Sequence, residues 1–458
     1  MSTGPLFAIH LEPRQPLGLQ IERQLRTLIR ERGLLAGAEL PSTRAFAADL
    51  GVSRGVVVGV YAQLVAEGYI TLRRGAAPLI AAFGREPPAP WAERDVPVAD
   101  YRFNLRPDLP DLALFPRSEW LAASRVALQR AANSDLAYGE PFGSAQLRGV
   151  LAPFLARTRG VVAEPARTGV ATGSTQALHA LASVLRHAGV TRIAVEDPGH
   201  RWRTATLRAS GLETVPVAVD GEGLCVERLP RDVGAVVLSP DHQFPLGVAL
   251  GAARRRALVE WAMSGDRLVI EHDYDGHFRY DRPPAGTLQA LAPDHVAYVG
   301  SASALLVPTL RLGWLVVPSR LVVPLAGQAA VNGIAPPRLS QFALAELIER
   351  GYLDRHLRKA RAVYKRRREA LVESLGRELP DIVVGGVAAG LFVPVSLPPG
   401  VDEGALLTAL SRRGVAVDGF ARNSIASRAT GLALGFAAAP EPTLRQAVGE
   451  LANALSSG

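Results

Sequence analysis

Short runs of β-branched and aliphatic residues alternate with helical patterns through the middle of this 458-residue chain, and this alternation constrains the fold most. Parallel strands need a crossover connection, commonly a helix, so the alternation favours a mostly parallel sheet covered by helices. Four runs predict strands: Arg192–Glu196, Ala235–Ser239, Leu268–Glu271 and Val296–Gly300. The central part of the chain is therefore predicted to be an α/β domain.

Polar side chains follow each of these predicted strands within a few residues. They are His200, His242, His272, Tyr274, Ser301 and Ser303. In sheets of this kind, ligands bind beyond the carboxyl ends of the strands. Because the polar residues recur at the same place after successive strands, we predict a ligand pocket at that edge of the sheet.

The first eighty residues carry a different pattern. Apolar residues from Leu17 to Arg30 recur at helical spacing, and Ser42 and Ser53 are placed to cap two further helices. The predicted buried face of the third helix is Val57, Val60, Tyr61 and Leu64. A strand and a tight basic turn follow at 68–75. Helix, turn, helix and basic hairpin predict a winged helix-turn-helix.

The motifs of this segment are closely similar to those of the GntR-type DNA-binding domain. They are Leu40-Pro41-Ser42-Thr43-Arg44, Ala47-Ala48-Asp49-Leu50-Gly51-Val52-Ser53-Arg54 and Glu67-Gly68-Tyr69. The resemblance implies that Arg44, Ser53 and Arg54 contact phosphates or base edges of double-stranded DNA, and that Arg73 and Arg74 lie on the wing. Arginine suits these contacts because its planar fork donates two hydrogen bonds to phosphate or guanine. From the residues alone, a three-helix bundle with a solvated basic face stays the alternative.

Composition and charge agree with a globular protein of more than one domain. The chain is 48% hydrophobic and 21% charged, and its net charge of +8 gives modest support to a nucleic-acid partner. The single cysteine, Cys225, excludes an intramolecular disulfide framework. We see neither a signal peptide nor a membrane span, so we expect a cytoplasmic protein.

Proline and charged residues without periodicity fill residues 84–100 and predict a linker. A chain of this length is too long for one ordinary domain. The predicted organisation is a DNA-binding head at 1–83, the linker, a large domain at 101–335 and a smaller α+β domain at 336–458.

Beyond the linker, the chain resembles an aminotransferase-like domain nearly to its end. The segments that carry this resemblance are Pro110-Asp111-Leu112, Tyr138-Gly139-Glu140-Pro141, Glu196-Asp197-Pro198-Gly199-His200, Asp273-Tyr274-Asp275 and residues 300–314. Head and body in this order are similar to MocR-type regulators, a GntR subfamily in which a winged helix-turn-helix is fused to a fold-type-I aminotransferase-like domain. The resemblance implies a homodimer and a site for pyridoxal phosphate.

Three positions of the implied cofactor site depart from the family pattern. The lysine that forms the Schiff base aligns with Ala304, and only an amine can condense with the cofactor aldehyde. The carboxylate that keeps the pyridine nitrogen protonated aligns with His272, and the ring-stacking tyrosine aligns with His200. The only lysines of the chain, Lys359 and Lys365, are predicted to face solvent on a helix. We therefore expect no transamination.

The resemblance also implies that a phosphate-binding group survives. Ser174, Thr175, Ser301, Ser303 and Arg311 occupy its aligned positions. Amides at a helix N-terminus, hydroxyls and a guanidinium together form an anion site. The residues leave an alternative open, in which the serines are ordinary helix caps and the arginine pairs with a carboxylate.

These features predict a DNA-binding transcription regulator whose body dimerises the protein and senses a small anionic or phosphorylated effector. The predicted pocket includes His242 and also Tyr274, which could bond a ring hydroxyl. Three other functions stay open: the body senses pyridoxal phosphate without a covalent bond, retains aminotransferase activity, or binds no ligand.

Overall fold

The computed structural model describes residues 9–12, 15–31, 36–72, 76–81, 101–283, 286–332 and 336–456. The chain divides into two compact units, Met1–Val98 and Ala99–Gly458. Each unit has a hydrophobic core of its own. The domain boundaries read from the sequence stay predictions.

The described residues of the N-terminal unit form three helices and a hairpin. They are α1 (Leu17–Glu31), α2 (Thr43–Leu50), α3 (Arg54–Ala66), β1 (Ile70–Thr71) and β2 (Leu79–Ile80). Both α1 and α2 pack on α3, whose predicted buried face is confirmed. The side chains of Ser42 and Ser53 accept the backbone N–H groups of Ala45 and Val56, so both predicted caps are confirmed. The predicted wing residues Arg73 and Arg74 lie outside the described residues.

The C-terminal unit, or body, is built around a sheet that has eight strands in the described part of the chain. The strands of the body are β3 (Phe103–Asn104), β4 (Thr168–Ala171), β5 (Arg192–Asp197), β6 (Glu213–Asp220), β7 (Gly223–Leu224), β8 (Ala235–Leu238), β9 (Leu268–Asp273), β10 (Val296–Ser301), β11 (Gly313–Val316), β12 (Val383–Val384), β13 (Phe392–Ser396), β14 (Val415–Ala416), β15 (Asp418–Gly419) and β16 (Gly431–Gly435). The order of the large sheet is β4-β11-β10-β9-β8-β5-β6-β7.

The large sheet is mostly parallel, as predicted. β10, β9, β8, β5 and β6 run parallel to one another, whereas β11 and β7 are antiparallel to their neighbours. The four predicted strands coincide with β5, β8, β9 and β10, with small differences at their ends. Long apolar runs made these strands predictable because both faces of a parallel sheet are buried.

Helices cover both faces of this sheet. The helices of the body are α4 (Arg117–Arg130), α5 (Ala145–Arg159), α6 (Ser174–His187), α7 (Arg201–Ala209), α8 (Ala252–Ser264), α9 (Leu288–Leu291), α10 (Ala302–Leu305), α11 (Ser319–Asn332), α12 (Arg338–Glu349), α13 (Tyr352–Glu378), α14 (Glu403–Arg412) and α15 (Glu441–Ser456). Ile193 and Val195 of β5 join one core cluster with α6 and α7, and Ala194 joins another with α8. No helix of the described residues is long and apolar enough to span a membrane.

A smaller antiparallel sheet with the order β12-β13-β16-β15 lies near the C-terminus, and α13, α14 and α15 accompany it. This matches the predicted α+β character of the C-terminal part. β3 pairs with β14 in parallel, so that Phe103 lies opposite Val415. The first strand of the body therefore pairs with a C-terminal strand before the chain enters the large sheet.

Candidate ligand pocket and DNA-binding head

The carboxyl ends of the central strands bring most of the predicted pocket residues to one edge of the large sheet. Ser301 ends β10 opposite Gly313, which in turn lies opposite Ala171, just before α6. On the other side of β10 lies β9, which Tyr274 follows. Adjacent strands are about 4.8 Å apart, so the groups on these strand ends are close neighbours.

Arg311 lies at the N-terminus of α6. A methyl group built on Gly173 would lie 3.5 Å from the guanidinium carbon of Arg311. Gly173 has a φ of 98° and gives α6 no side-chain cap, so the first amides of the helix, from Ser174 and Thr175 onward, have no capping side chain. Arg311 is exposed, and within the described residues its guanidinium has no ion pair. The alternative in which it pairs with a carboxylate is not what the structure has.

The serines on the neighbouring strand end have a local role. The hydroxyl of Ser301 accepts the backbone N–H of Ser303 at 3.3 Å and caps the short helix α10. A hydroxyl that accepts this bond still has a hydrogen to donate to an anion. Ala304, inside α10, is buried in the main apolar cluster of the body.

Neither lysine of the chain lies on a buried surface. Lys359 and Lys365 are exposed on α13, whereas Leu353, Ala360 and Tyr364 on the same helix are buried. The predicted outward orientation of both lysines is confirmed. Their amines belong to the solvent face of α13.

An arginine that the sequence analysis did not single out holds His272. Arg203, buried on α7, donates to Nδ1 of His272 at 2.8 Å, to Oγ of Ser239 and to Oε2 of Glu196. Burial lowers the pKa of His272 well below its ordinary value, and the charge of Arg203 acts in the same direction. The ring is therefore neutral. Because a guanidinium only donates, Nδ1 must accept and the ring hydrogen lies on Nε2.

Asp273 is the carboxylate next to His272 in sequence, and in the structure its oxygens accept hydrogen bonds from other residues. Its oxygens accept from Nε of Arg159 at 2.5 Å, from the hydroxyl of Tyr298 at 2.7 Å and from the backbone N–H of Gly276 at 2.9 Å. Burial raises the pKa of Asp273, but the charges of Arg159 and His277 and the hydrogen bonds from Tyr298 and Arg159 together outweigh it, and the pKa falls to about 2. Successive side chains of a strand point to opposite faces, so Asp273 does not replace the missing carboxylate.

Aromatic rings form part of the wall of a cavity of about 360 Å³ at this edge of the sheet. His200 stacks on Phe244, with 4.2 Å between the ring centres, and meets Tyr274 edge-on at 5.1 Å. Trp202 lines the same cavity. Nε2 of His200 is buried without a hydrogen-bond partner among the described residues. The sequence placed His200 and Tyr274 after strand ends, and the structure brings these two together with Trp202 and Phe244.

Charged side chains lie at the rim of this cavity. Arg422 pairs with Asp418 at 3.0 Å, and both residues line the cavity. Arg201 and Asp108 also line it and are exposed, and neither forms an ion pair within the described residues. The cavity therefore offers both signs of charge around an aromatic interior.

His242 lies apart from this cavity. Its Nδ1 donates to Asp275 at 2.8 Å, and it lines a second cavity of about 320 Å³ with Arg255. The hydroxyl of Tyr274 donates to the carbonyl of His242 at 2.8 Å, so it is left only as an acceptor for a ring hydroxyl. Within the described ranges, no three His, Cys, Asp or Glu side chains are arranged to hold a metal ion.

The predicted DNA-contacting residues described in the head are exposed near helix N-termini. Arg44 is the second residue of α2, and Arg54 is the first residue of α3. Ser53 caps α3 and is also exposed. A helix N-terminus attracts anions, so phosphate can contact the backbone amides there together with an arginine.

Comparison with known proteins identifies both units. Residues 17–80 match the family described as bacterial regulatory proteins, gntR family, and residues 111–451 match aminotransferase class I and II. The HTH-type pyridoxine biosynthesis transcriptional regulator PdxR of Corynebacterium glutamicum is 33% identical, over 98% of this chain and 99% of its own. The chain belongs to the MocR-type family of GntR transcription regulators. A further relative, the probable rhizopine catabolism regulatory protein MocR of Rhizobium meliloti, is 28% identical over 96% of this chain and 94% of its own.

Solved structures place the body of this MocR-type regulator among the aminotransferases. An archaeal alanine:glyoxylate aminotransferase superposes with a TM-score of 0.72 at 25% identity, over 78% of this chain and 91% of its own. The kynurenine aminotransferase of Pyrococcus horikoshii superposes with a TM-score of 0.71 at 24% identity, over 79% of this chain and 92% of its own. The body therefore has the fold-type-I aminotransferase fold, as the sequence predicted.

Proposed function

We propose that this MocR-type regulator binds operator DNA as a homodimer and that its body senses a small anionic effector without transamination. The observation that carries the proposal is the hydrogen bond from Arg203 to Nδ1 of His272, because it leaves a donor where an aminotransferase needs a carboxylate. Ala304 adds to it, since the implied lysine position is apolar and buried.

Pyridoxal phosphate, which the fold implies, does not fit these residues in its catalytic form. Its aldehyde needs an amine, and both lysines of the chain are exposed on α13. Its protonated ring nitrogen needs an acceptor, and the neutral ring of His272 presents Nε2–H. Asp273, the neighbouring carboxylate, is held by Arg159. These departures support a sensing role for the body.

An anionic effector suits the N-terminus of α6. The uncapped first turn and the unpaired Arg311 both attract negative charge, and the hydroxyl of Ser174 lies in the same turn. These groups favour the second candidate function, in which the body binds pyridoxal phosphate through its phosphate and without a covalent bond. The two candidates share the pocket and differ in the identity of the effector.

Exposed apolar side chains support a homodimer. Leu121 and Leu128 lie on one face of α4, seven residues apart, and Tyr138 is fully exposed shortly after that helix. Leu339 is exposed on α12, which packs on α4. A second copy of the chain is the occupant we propose for this surface, because a symmetric regulator reads two half-sites with two heads.

Two measurements on the purified full-length protein test the proposed function. Fluorescence anisotropy with DNA from upstream of its own coding region should show saturable, salt-sensitive binding. Pyridoxal phosphate followed by borohydride should leave no adduct on a lysine. A lysine adduct, or affinity for the upstream DNA no greater than for a scrambled duplex, would refute the proposal. Saturable binding of pyridoxal phosphate without fixation would favour the second candidate.

A further inference from the structure

We infer that Val58 of α3 selects thymine in the operator through apolar contact with the C5-methyl group of the base. This specificity rests on the proposed function, because it requires the head to bind operator DNA. It adds a preference that the arginines of the head do not supply, since a guanidinium fork binds phosphate or guanine.

The position of α3 in the head determines which residues meet the bases. α2 ends at Gly51, whose φ of 65° turns the chain toward α3, and Ser53 caps the N-terminus of α3. In a helix-turn-helix, the second helix lies in the major groove with its N-terminal residues against the base edges. The exposed residues in the first two turns of α3 therefore face the bases in the complex.

From Gly55 to Ala62, a stretch that the structure describes throughout, no exposed side chain of α3 can form a hydrogen bond with a base. Tyr61 has the only polar side chain in this stretch. It is buried, and its hydroxyl donates to the carbonyl of Pro41 at 2.8 Å. Val58 is 47% exposed and is the only exposed residue of the stretch with a side chain larger than a methyl group. This face of α3 can therefore read bases only through apolar contact.

Two glycines on the same face as Val58 allow α3 to approach the groove closely. Apart from chain neighbours and the backbone of α3, a methyl group built on Gly59 would have no atom within 4 Å. One built on Gly55 would meet the hydroxyl oxygen of Ser53 at 3.8 Å, which is ordinary contact. Packing within the described head therefore requires neither glycine, although glycine weakens a helix relative to alanine. Close approach of DNA explains both, because it brings Val58 to the base edges.

Thymine is the base that fits Val58. In the major groove, guanine, cytosine and adenine present hydrogen-bond donors and acceptors, whereas thymine also presents a methyl group. Contact between that group and the methyl groups of Val58 removes apolar surface of both from water. A guanine or cytosine in the same place would lose water from its polar groups without gaining a partner in the protein.

Removal of the methyl group from the DNA tests this contact. The duplex from upstream of the coding region is prepared once with thymine and once with uracil, which pairs in the same way and lacks only the C5-methyl group. Fluorescence anisotropy on the full-length protein should show binding of the uracil duplex weakened by about four-fold or more, the factor expected when one methyl group returns to water. Equal affinity for the two duplexes would overturn the inference.

Two substitutions distinguish Val58 from other residues that could contact a methyl group. Val58→Ala shortens an exposed side chain and introduces a better helix former, so the head should stay folded. Its preference for thymine over uracil should nearly disappear. Leu19→Ala, the matched control, shortens an exposed apolar side chain of α1 and should keep the preference of the parent. The full preference in Val58→Ala would assign the contact to another residue and overturn the inference.

Gly59→Leu tests the close approach of α3. Leucine is a better helix former than glycine, so hydrogen exchange of the α3 amides should slow. The added side chain nevertheless fills the space between helix and groove, so both duplexes should bind about ten-fold more weakly or worse. Unchanged affinity would contradict the close approach on which the contact of Val58 depends.

The outcomes separate this specificity from the proposed function. Salt-sensitive binding of the upstream duplex with equal affinity for thymine and uracil would leave a DNA-binding regulator and overturn the role of Val58. Affinity for the upstream duplex no greater than for a scrambled duplex would refute both.

Discussion

Arg54 is the first residue of α3, where a positive charge opposes the helix dipole. This placement is understandable if the guanidinium meets DNA. We expect Arg54→Ala to weaken operator binding by about 1–3 kcal/mol if the arginine contacts a base edge. Fluorescence anisotropy measures the change. Arg358→Ala, which removes an exposed arginine on α13 of the body, is the matched control and should bind as the parent does.

Unchanged affinity of the Arg54→Ala variant for operator and scrambled duplex would remove this residue from recognition. A uniform loss on both duplexes would instead assign Arg54 to a phosphate, since phosphate contacts carry no sequence information.

We expect His277 to make the body sensitive to acid. Burial lowers its pKa from 6.5 to about 4, with Asp273 and Asp354 opposing and Arg159 assisting. Below pH 6.5 the unfolded chain binds the proton more readily than the folded chain, so stability is complete above that pH and falls toward pH 4. Between about pH 7 and about pH 5 we expect His277 to account for a loss of about 2 kcal/mol.

The variant His277→Phe keeps an aromatic ring against Phe154 and removes the titrating group. Urea unfolding at both pH values should therefore show a smaller acid loss in this variant than in the parent. An identical loss in both proteins would show that other histidines of the body, such as His200 and His272, produce the acid sensitivity.

The sequence placed His200, His272 and Tyr274 at one edge of the sheet but did not single out Arg203, which holds His272. His200, His272 and Tyr274 were predictable because each follows an apolar run that ends at the same edge of the sheet. Arg203 was not, because α7 also carries Arg201 and the helix sequence gives no sign of which arginine is buried. The partners of a long cationic side chain are decided by which distant strand ends the fold brings beside it, and the local sequence does not contain that information.

At the scale of elements, Ser42 caps the N-terminus of α2, which begins at Thr43. Its side chain accepts the N–H of Ala45. Ser42→Ala should destabilise α2 by about 1 kcal/mol, whereas Ser42→Asn should retain the cap. Hydrogen exchange of the amides of α2 measures the difference. Equal protection in both variants would mean that packing of Phe46, and not the cap, holds the helix.

Elements with a local signal were predictable, and elements that depend on distant partners were not. The caps at Ser42 and Ser53 follow from side-chain chemistry within one turn. The pairing of β3 with β14 joins Phe103 to Val415 across most of the body, and two-residue strands carry no pattern of their own. Such short strands form because tertiary packing brings the two segments side by side. Local β-propensity does not predict that pairing.

At the scale of the whole molecule, Leu128 tests the proposed dimer. Leu128→Glu places a charge on the exposed apolar face of α4 and should shift the protein toward the monomer in sedimentation velocity. Operator affinity should fall at least ten-fold, because one head makes few phosphate contacts. Val383→Glu changes a similarly exposed apolar residue on β12 and should leave the sedimentation coefficient unchanged. A dimeric Leu128→Glu protein would refute this interface.

Arg203 also limits what a single substitution at this site could achieve. An aspartate at position 272 would meet the guanidinium of Arg203 and form an ion pair, which would withdraw it from any ring nitrogen. A lysine at position 304 would supply an amine without the carboxylate that must accompany it. Under the proposed function, neither change alone would therefore give the body aminotransferase chemistry.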